Sequence, residues 1–151
     1  MRRKDREMDG EFAKQVIDKA AFATLATVNE DGTPYCVPLC PVRDGDYIYF
    51  HCALEGKKIS NMRARPKVCL SFVGAAAAPE GTFTMSYESA VASGVAEEAL
   101  DADEKICALE RICKRYTPGN MAAFDKAIAR SLSVTGVWKV RIDEISGKKN
   151  G

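Results

Sequence analysis

Between residues 22 and 53 the chain carries three β-type runs separated by two turn signals, and this stretch limits the fold more than any other. Phe22–Val28 is rich in Thr, Val and Phe, and Asn29-Glu30-Asp31-Gly32 closes it with turn chemistry. Tyr35–Val42 follows, then Asp44-Gly45, then Asp46–Ala53. Asp-Gly between apolar runs is a strong hairpin signal, because both turn positions take positive φ. The stretch therefore predicts a three-stranded antiparallel meander. Pro38 restricts the middle strand to an edge or a bulge, where its missing N–H does no harm.

The rest of the chain adds strands and peripheral helices. Met8, Phe12, Val16 and Ala20 recur every four residues and predict an N-terminal helix over about 5–20. Glu55–Arg65 reads as a short helix stopped by Pro66. Lys67–Val73 is a strand, Gly74–Gly81 a loop with four consecutive alanines, and Thr82–Ala96 one bent strand or two. Asp101, with Glu104 three residues later, caps a helix whose apolar face carries Ile106, Leu109, Cys113 and Tyr116. Thr117-Pro118-Gly119 ends it, and Met121–Ser131 is a further amphipathic helix, so the helical insertion spans about 101–131. Val134–Ile145 is the last strand, with a polar tail. Six or seven strands in mostly hairpin order, with helices outside, predict a small antiparallel β-barrel in a single domain over 1–151.

Charge and residue counts exclude several functions. With 22 basic and 21 acidic side chains the net charge is +1, so no broad basic field suggests nucleic-acid binding. The single histidine, His51, excludes sites that need two histidine ligands, and no metal site is expected. No apolar run approaches the length of a membrane span, and the charged N-terminus lacks a secretory apolar core. A cytoplasmic protein is the expectation. The six cysteines, Cys36, Cys40, Cys52, Cys69, Cys107 and Cys113, form no C-x-x-C pair. They are expected as reduced thiols that serve mainly as small packing residues.

Two segments carry candidate chemistry. In the third strand Tyr47, Tyr49 and His51 alternate against Ile48, Phe50 and Cys52, so one face is core and the other is aromatic with polar tips. That second face suits a planar ligand or a partner, or is simply half-exposed. His51 and Cys52 point to opposite faces and cannot form a nucleophile–base pair. Immediately afterwards Glu55-Gly56-Lys57-Lys58-Ile59-Ser60-Asn61 opens a helix. Two lysines in a first turn oppose the positive end of the helix dipole, and a bound anion resolves the conflict. Free first-turn amides, a glycine and two ammonium groups together make a phosphate cradle. A solvated lysine pair is the plainer alternative. Trp138 reads first as core.

The run Phe22–Leu39, followed by Asp46-Tyr-Ile-Tyr-Phe-His-Cys-Ala-Leu-Glu-Gly-Lys-Lys58, resembles the pyridoxamine-phosphate-oxidase-like flavoproteins, which are FMN-binding split β-barrels. It is most similar to their nitroimidazole-resistance branch, through the F-H-x-A-x-x-G-K-K pattern, Tyr87-x-Ser89…Gly94 and Ile142-x-x-Ile-Ser-Gly-Lys148. The resemblance implies a six- to seven-stranded antiparallel split barrel that binds FMN, with haem as a lesser alternative. It implies that Gly56, Lys57 and Lys58 hold the FMN phosphate and that Val37, Pro38 and Leu39 present backbone to the flavin ring. His51 and Cys52 would lie beside the ring, with His51 as the candidate catalytic residue. A homodimer with FMN at its interface is implied, with Ser89 or Trp138 reaching in from the partner. The implied activity is reduction of a nitroimidazole-like small molecule, with NADH or NADPH as donor. A non-catalytic FMN or haem binder with His51 as axial ligand is the alternative. The sequence departs from the branch at Ala90-Val-Ala and Ala75–Ala78.

Overall fold

The computed structural model describes residues 2–151. Its strands are β1 (Glu7–Met8), β2 (Ala23–Val28), β3 (Pro34–Leu39), β4 (Val42–Asp44), β5 (Tyr47–Cys52), β6 (Lys67–Ala77), β7 (Ser86–Glu98) and β8 (Gly136–Asn150). The helices are α1 (Gly10–Lys19), α2 (Lys57–Ala64), α3 (Ala102–Tyr116) and α4 (Phe124–Ser131). All strand pairs are antiparallel, in the order β3-β2-β6-β7-β8-β5-β4, with β1 added to β8. The two ends of that order, β3 and β4, are neighbours in the chain, joined only through Cys40 and Pro41. The sheet thus curls until its edges meet at a corner without pairing, which is a split barrel.

This arrangement corrects the meander. A hairpin does form at Asp44-Gly45, but Asp44 pairs with Tyr47, so Gly45 and Asp46 make the turn. Only Gly45, at φ +57°, takes the positive φ expected of both positions; the β2–β3 hairpin forms as well. However, the second run breaks at Cys40-Pro41 into β3 and β4, and the two hairpins lie at opposite ends of the strand order. Turn chemistry fixes pairing within each hairpin, whereas long-range pairing with β6 and β8 decides where each hairpin goes. Pro41 is fully buried at the corner, and its carbonyl accepts the Tyr116 hydroxyl at 2.8 Å. Pro38 does stand on an edge strand, as its missing N–H requires.

The barrel interior is filled by alternate residues such as Leu25, Ile48, Phe50, Leu70, Phe72 and Val140, all fully buried. The α1 helix covers it with Ala13, Val16 and Ile17, and its N-cap Asp9 accepts the Phe12 amide at 2.8 Å. Burial of Leu and Phe side chains of this size contributes about 1.5–3 kcal/mol each. A second cluster, Ala99, Ala108, Leu109 and Val137, seats α3 against the outside of β5 and β8. Asp101 caps α3 by accepting the Glu104 amide at 2.9 Å, as its sequence implies.

Other boundaries move for identifiable reasons. The N-terminal helix starts at Gly10, because Glu7 and Met8 pair with Lys148 and Gly147 as a strand. The alanines to Ala77 continue β6 beyond a bulge between Val73 and Ala76, and β7 is one strand from Ser86. The polar tail remains in β8 as far as Asn150, because β7 supplies backbone partners there. Residues 118–123 form a 3₁₀ turn before α4. The cysteines are all free, but only Cys52 packs against the core cluster. Cys36, Cys40 and Cys107 are exposed, since strand alternation turns Cys36 outward and Cys40 sits in the corner link. The packing role expected of the cysteines does not hold for these. No helix among the described residues is long and apolar enough to cross a membrane.

Candidate functional site

The β5–α2 junction brings the lysine pair and the histidine together. Gly56 is the N-cap of α2 with φ +135°, a backbone region that side chains rarely adopt, and nothing lies within 4 Å of where its Cβ would be. The Ile59 and Ser60 amides return to the Gly56 carbonyl at 2.9 and 3.1 Å. The Lys57 and Lys58 amides, one turn too early for helical partners, remain for an outside acceptor. No side chain caps this helix and its first turn contains no acid. The donor set is therefore two amides and two ammonium groups around an open glycine, which fits a phosphate dianion.

The two lysines lean to different walls. The Lys57 ammonium lies 4.9 Å from the Tyr35 ring centroid, on the β2–β3 hairpin. The Asp31 carboxyl is held low mainly by hydrogen bonds from Thr33, with Lys57 a small contributor. Lys58 acts on the β5 side. His51 is held below its ordinary pKa by desolvation and then by the Lys58 charge, both of which favour the neutral imidazole. Cys52 is pushed up by burial, with Lys58 opposing, and stays a thiol.

The residue that seats this helix is one that motif reasoning did not assign. Asn61 is 7% exposed and donates to Thr27 Oγ1 at 3.0 Å and to Asn29 Oδ1 at 2.9 Å. Arg65 adds donation to the Asn29 and Glu30 carbonyls. An asparagine inside a helix opposes helix propensity, and that was the available signal for a tertiary role. Asn29, Glu30, Asp31, Lys57 and Asn61 line a cleft of about 510 Å³ beside the cradle.

The other expected residues are distributed as follows. Val37 and Leu39 are half-buried against the core, whereas Pro38 faces out opposite Thr24 on the edge strand. The open edge of β3 leaves backbone groups beyond the β2 ladder. Near the end of β5, opposite Val137, His51 stays exposed on one side, so the desolvation acting on it is partial. Tyr49 is not available to a ligand: its hydroxyl donates to Glu104 Oε1 at 3.0 Å under α3. Desolvation first, then that hydrogen bond, pushes its pKa up to about 12. Lys139 bonds the same Glu104 oxygen at 2.7 Å and stands 5.5 Å from the Tyr47 ring centroid. The helical insertion thus covers much of the aromatic face and leaves His51 clear. Ser89 pairs with Val73 and Lys148, toward the opposite end of β6 and β7 from the lysine pair. Trp138 is 3% exposed within the core cluster, opposite Phe50, so it supports β5 from inside.

Residues 10–149 match the profile of the family described as pyridoxamine 5'-phosphate oxidase. Among solved structures, the chain is similar to a candidate 5-nitroimidazole antibiotic resistance protein from Bacteroides thetaiotaomicron. The TM-score is 0.78 at 26% identity, covering 95% of this chain and 86% of that one. It is also similar to the flavocytochrome Anf3 from Azotobacter vinelandii, with a TM-score of 0.78, 24% identity and coverage of 95% and 68%. A FAD- and haem-binding protein from Mycobacterium smegmatis gives 0.79 at 22% identity, covering 96% and 73%. No curated protein matches the chain.

Proposed function

The chain belongs to the pyridoxamine 5'-phosphate oxidase family, and from that premise we propose that it is an FMN-binding reductase of electron-poor small molecules such as nitroimidazoles. The observation that carries this reading is the uncapped N-terminus of α2, where Gly56, Lys57 and Lys58 offer four donors and no acid. The chemistry supplied by a flavin there is two-electron transfer from NADH or NADPH to the substrate. Lys57 and Lys58 hold the phosphate. The open edge of β3 at Val37, Pro38 and Leu39 offers backbone to the ring. His51 offers a hydrogen bond at the substrate side, and Cys52 packs below it as a thiol.

A homodimer completes the reading. The outward residues of β2, β6 and β7 include Thr24, Ala26, Ser71, Val73, Ser89 and Val91, a face without charge along those stretches. Val73 and Val91 are 52% and 41% exposed, which suits burial against a second copy carrying Ser89 toward the neighbouring flavin. A second reading, haem binding through His51, is favoured by the exposed position of that imidazole near the end of β5.

The test is the absorption spectrum after incubation with FMN, FAD and haemin in turn, then anaerobic reduction with NADH or NADPH and addition of a nitroimidazole. Flavin bands, donor-dependent bleaching and reoxidation by the nitroimidazole are the expected result. A Soret band lost in His51→Ala would instead establish the haem reading. With FMN bound, His51→Ala should lower turnover more than a few-fold; a smaller loss removes His51 from the chemistry.

A further inference from the structure

A second cluster of uncompensated cations lies far along the sheet from α2, where the N-terminus meets the end of β8. Pairing of Glu7 with Lys148 brings the 3₁₀ turn Lys4–Arg6 beside the last residues of the chain. Most charges there are paired: Arg3 with Asp5, Lys4 with Glu7 at 2.8 Å, and both Lys19 and Lys149 with Glu88. Among the described residues, Arg6 and Lys148 form no ion pair. The strand register places both at the same end of β8, next to Tyr87. The Lys148 ammonium stands 5.4 Å from the Tyr87 ring centroid. The Tyr87 hydroxyl is held below the usual phenol range, first by Lys148 and also by Arg6. Tyr87 and Lys148 sit diagonally across β7 and β8, with Ser89 directly opposite Lys148.

Two unpaired like charges brought together by the β1–β8 pairing repel each other, and an anion between them removes the repulsion. A guanidinium, an ammonium and a phenol O–H are together donors of the kind that phosphate oxygens accept. We propose that Arg6, Tyr87 and Lys148 form a second phosphate-binding site, separate from the α2 cradle, which takes either free phosphate or the phosphate of a dinucleotide donor. The strand pairing that builds it involves only two residues of β1, so the guanidinium is supplied by the segment leading into the fold.

The site is tested in a Lys57→Ala/Lys58→Ala background, which removes the cradle and makes the outcome independent of flavin binding. Calorimetric titration with inorganic phosphate at low ionic strength should show one site. Adding Arg6→Ala and Lys148→Ala should weaken it by about tenfold or more, the equivalent of one lost charged contact. Circular dichroism of each variant controls for folding. Tighter binding of NADPH than NADH, abolished by the same two substitutions, would identify a dinucleotide phosphate. Equal binding of the two, with phosphate affinity still dependent on Lys148, would identify free phosphate. Absence of phosphate binding in the starting background, or affinity indifferent to Arg6 and Lys148, overturns the proposal.

Discussion

Lysine is used in opposite ways at two places on β5 and its neighbours. Under α3, Lys139 is 20% exposed, its ammonium 2.7 Å from Glu104, which also accepts the Tyr49 hydroxyl. Charge there is balanced inside the fold, and the cluster fastens a helix to the barrel. At the head of α2, Lys57 and Lys58 add two positive charges to a helix end that is already positive, with no acid in the turn and no cap. The first arrangement is complete without a ligand, whereas the second is electrostatically improved by one. Substitutions in the two regions should therefore separate stability from binding.

The largest effect is expected from Lys57→Ala/Lys58→Ala. Two charge-assisted contacts at the low end of about 1.5–3 kcal/mol each amount to at least a 100-fold loss of FMN affinity. Fluorescence titration measures it, and the thermal midpoint should stay near that of the unaltered protein. Glu104→Ala should do the reverse. It leaves Lys139 and the Tyr49 hydroxyl without their acceptor and costs about 2 kcal/mol in urea unfolding, with FMN affinity unchanged. If Glu104→Ala abolished FMN binding, the division between the two regions would fail.

Asn61→Ala should lie between them, because Asn61 is structural but holds the head of α2. Loss of its bonds to Thr27 and Asn29 should cost about 1–2 kcal/mol and weaken FMN several-fold. The smallest effect concerns pH. Tyr49 titrates near 12 in the folded state, above its ordinary value near 10, so the neutral phenol is the form that folding favours. Its contribution is complete below about pH 10 and is lost as pH rises toward 12. Alkaline unfolding should be less steep in Tyr49→Phe over that window.

Local chemistry was legible in the sequence and long-range pairing was not. Asp44-Gly45, Asp101 and Pro38 each predicted their own turn, cap or edge, because the cause lies within a few residues. The placement of the two hairpins depends on β6 and β8, tens of residues away, and local pattern carries no information about it. The lysine pair stood out because it contradicts the helix dipole, a conflict visible without coordinates. Asn61 and Glu104 were harder to assign, since their partners Thr27, Tyr49 and Lys139 are brought near only by the fold. The aromatic alternation of Tyr47 and Tyr49 was real, but a helix from the insertion covers it.

The central claim, that the head of α2 is built for a phosphate, is tested most directly by comparing FMN with riboflavin, which lacks only the phosphate. FMN should bind at least 100-fold tighter than riboflavin to the unaltered protein, and the difference should collapse in Lys57→Ala/Lys58→Ala. Equal affinities for FMN and riboflavin in the unaltered protein would contradict it.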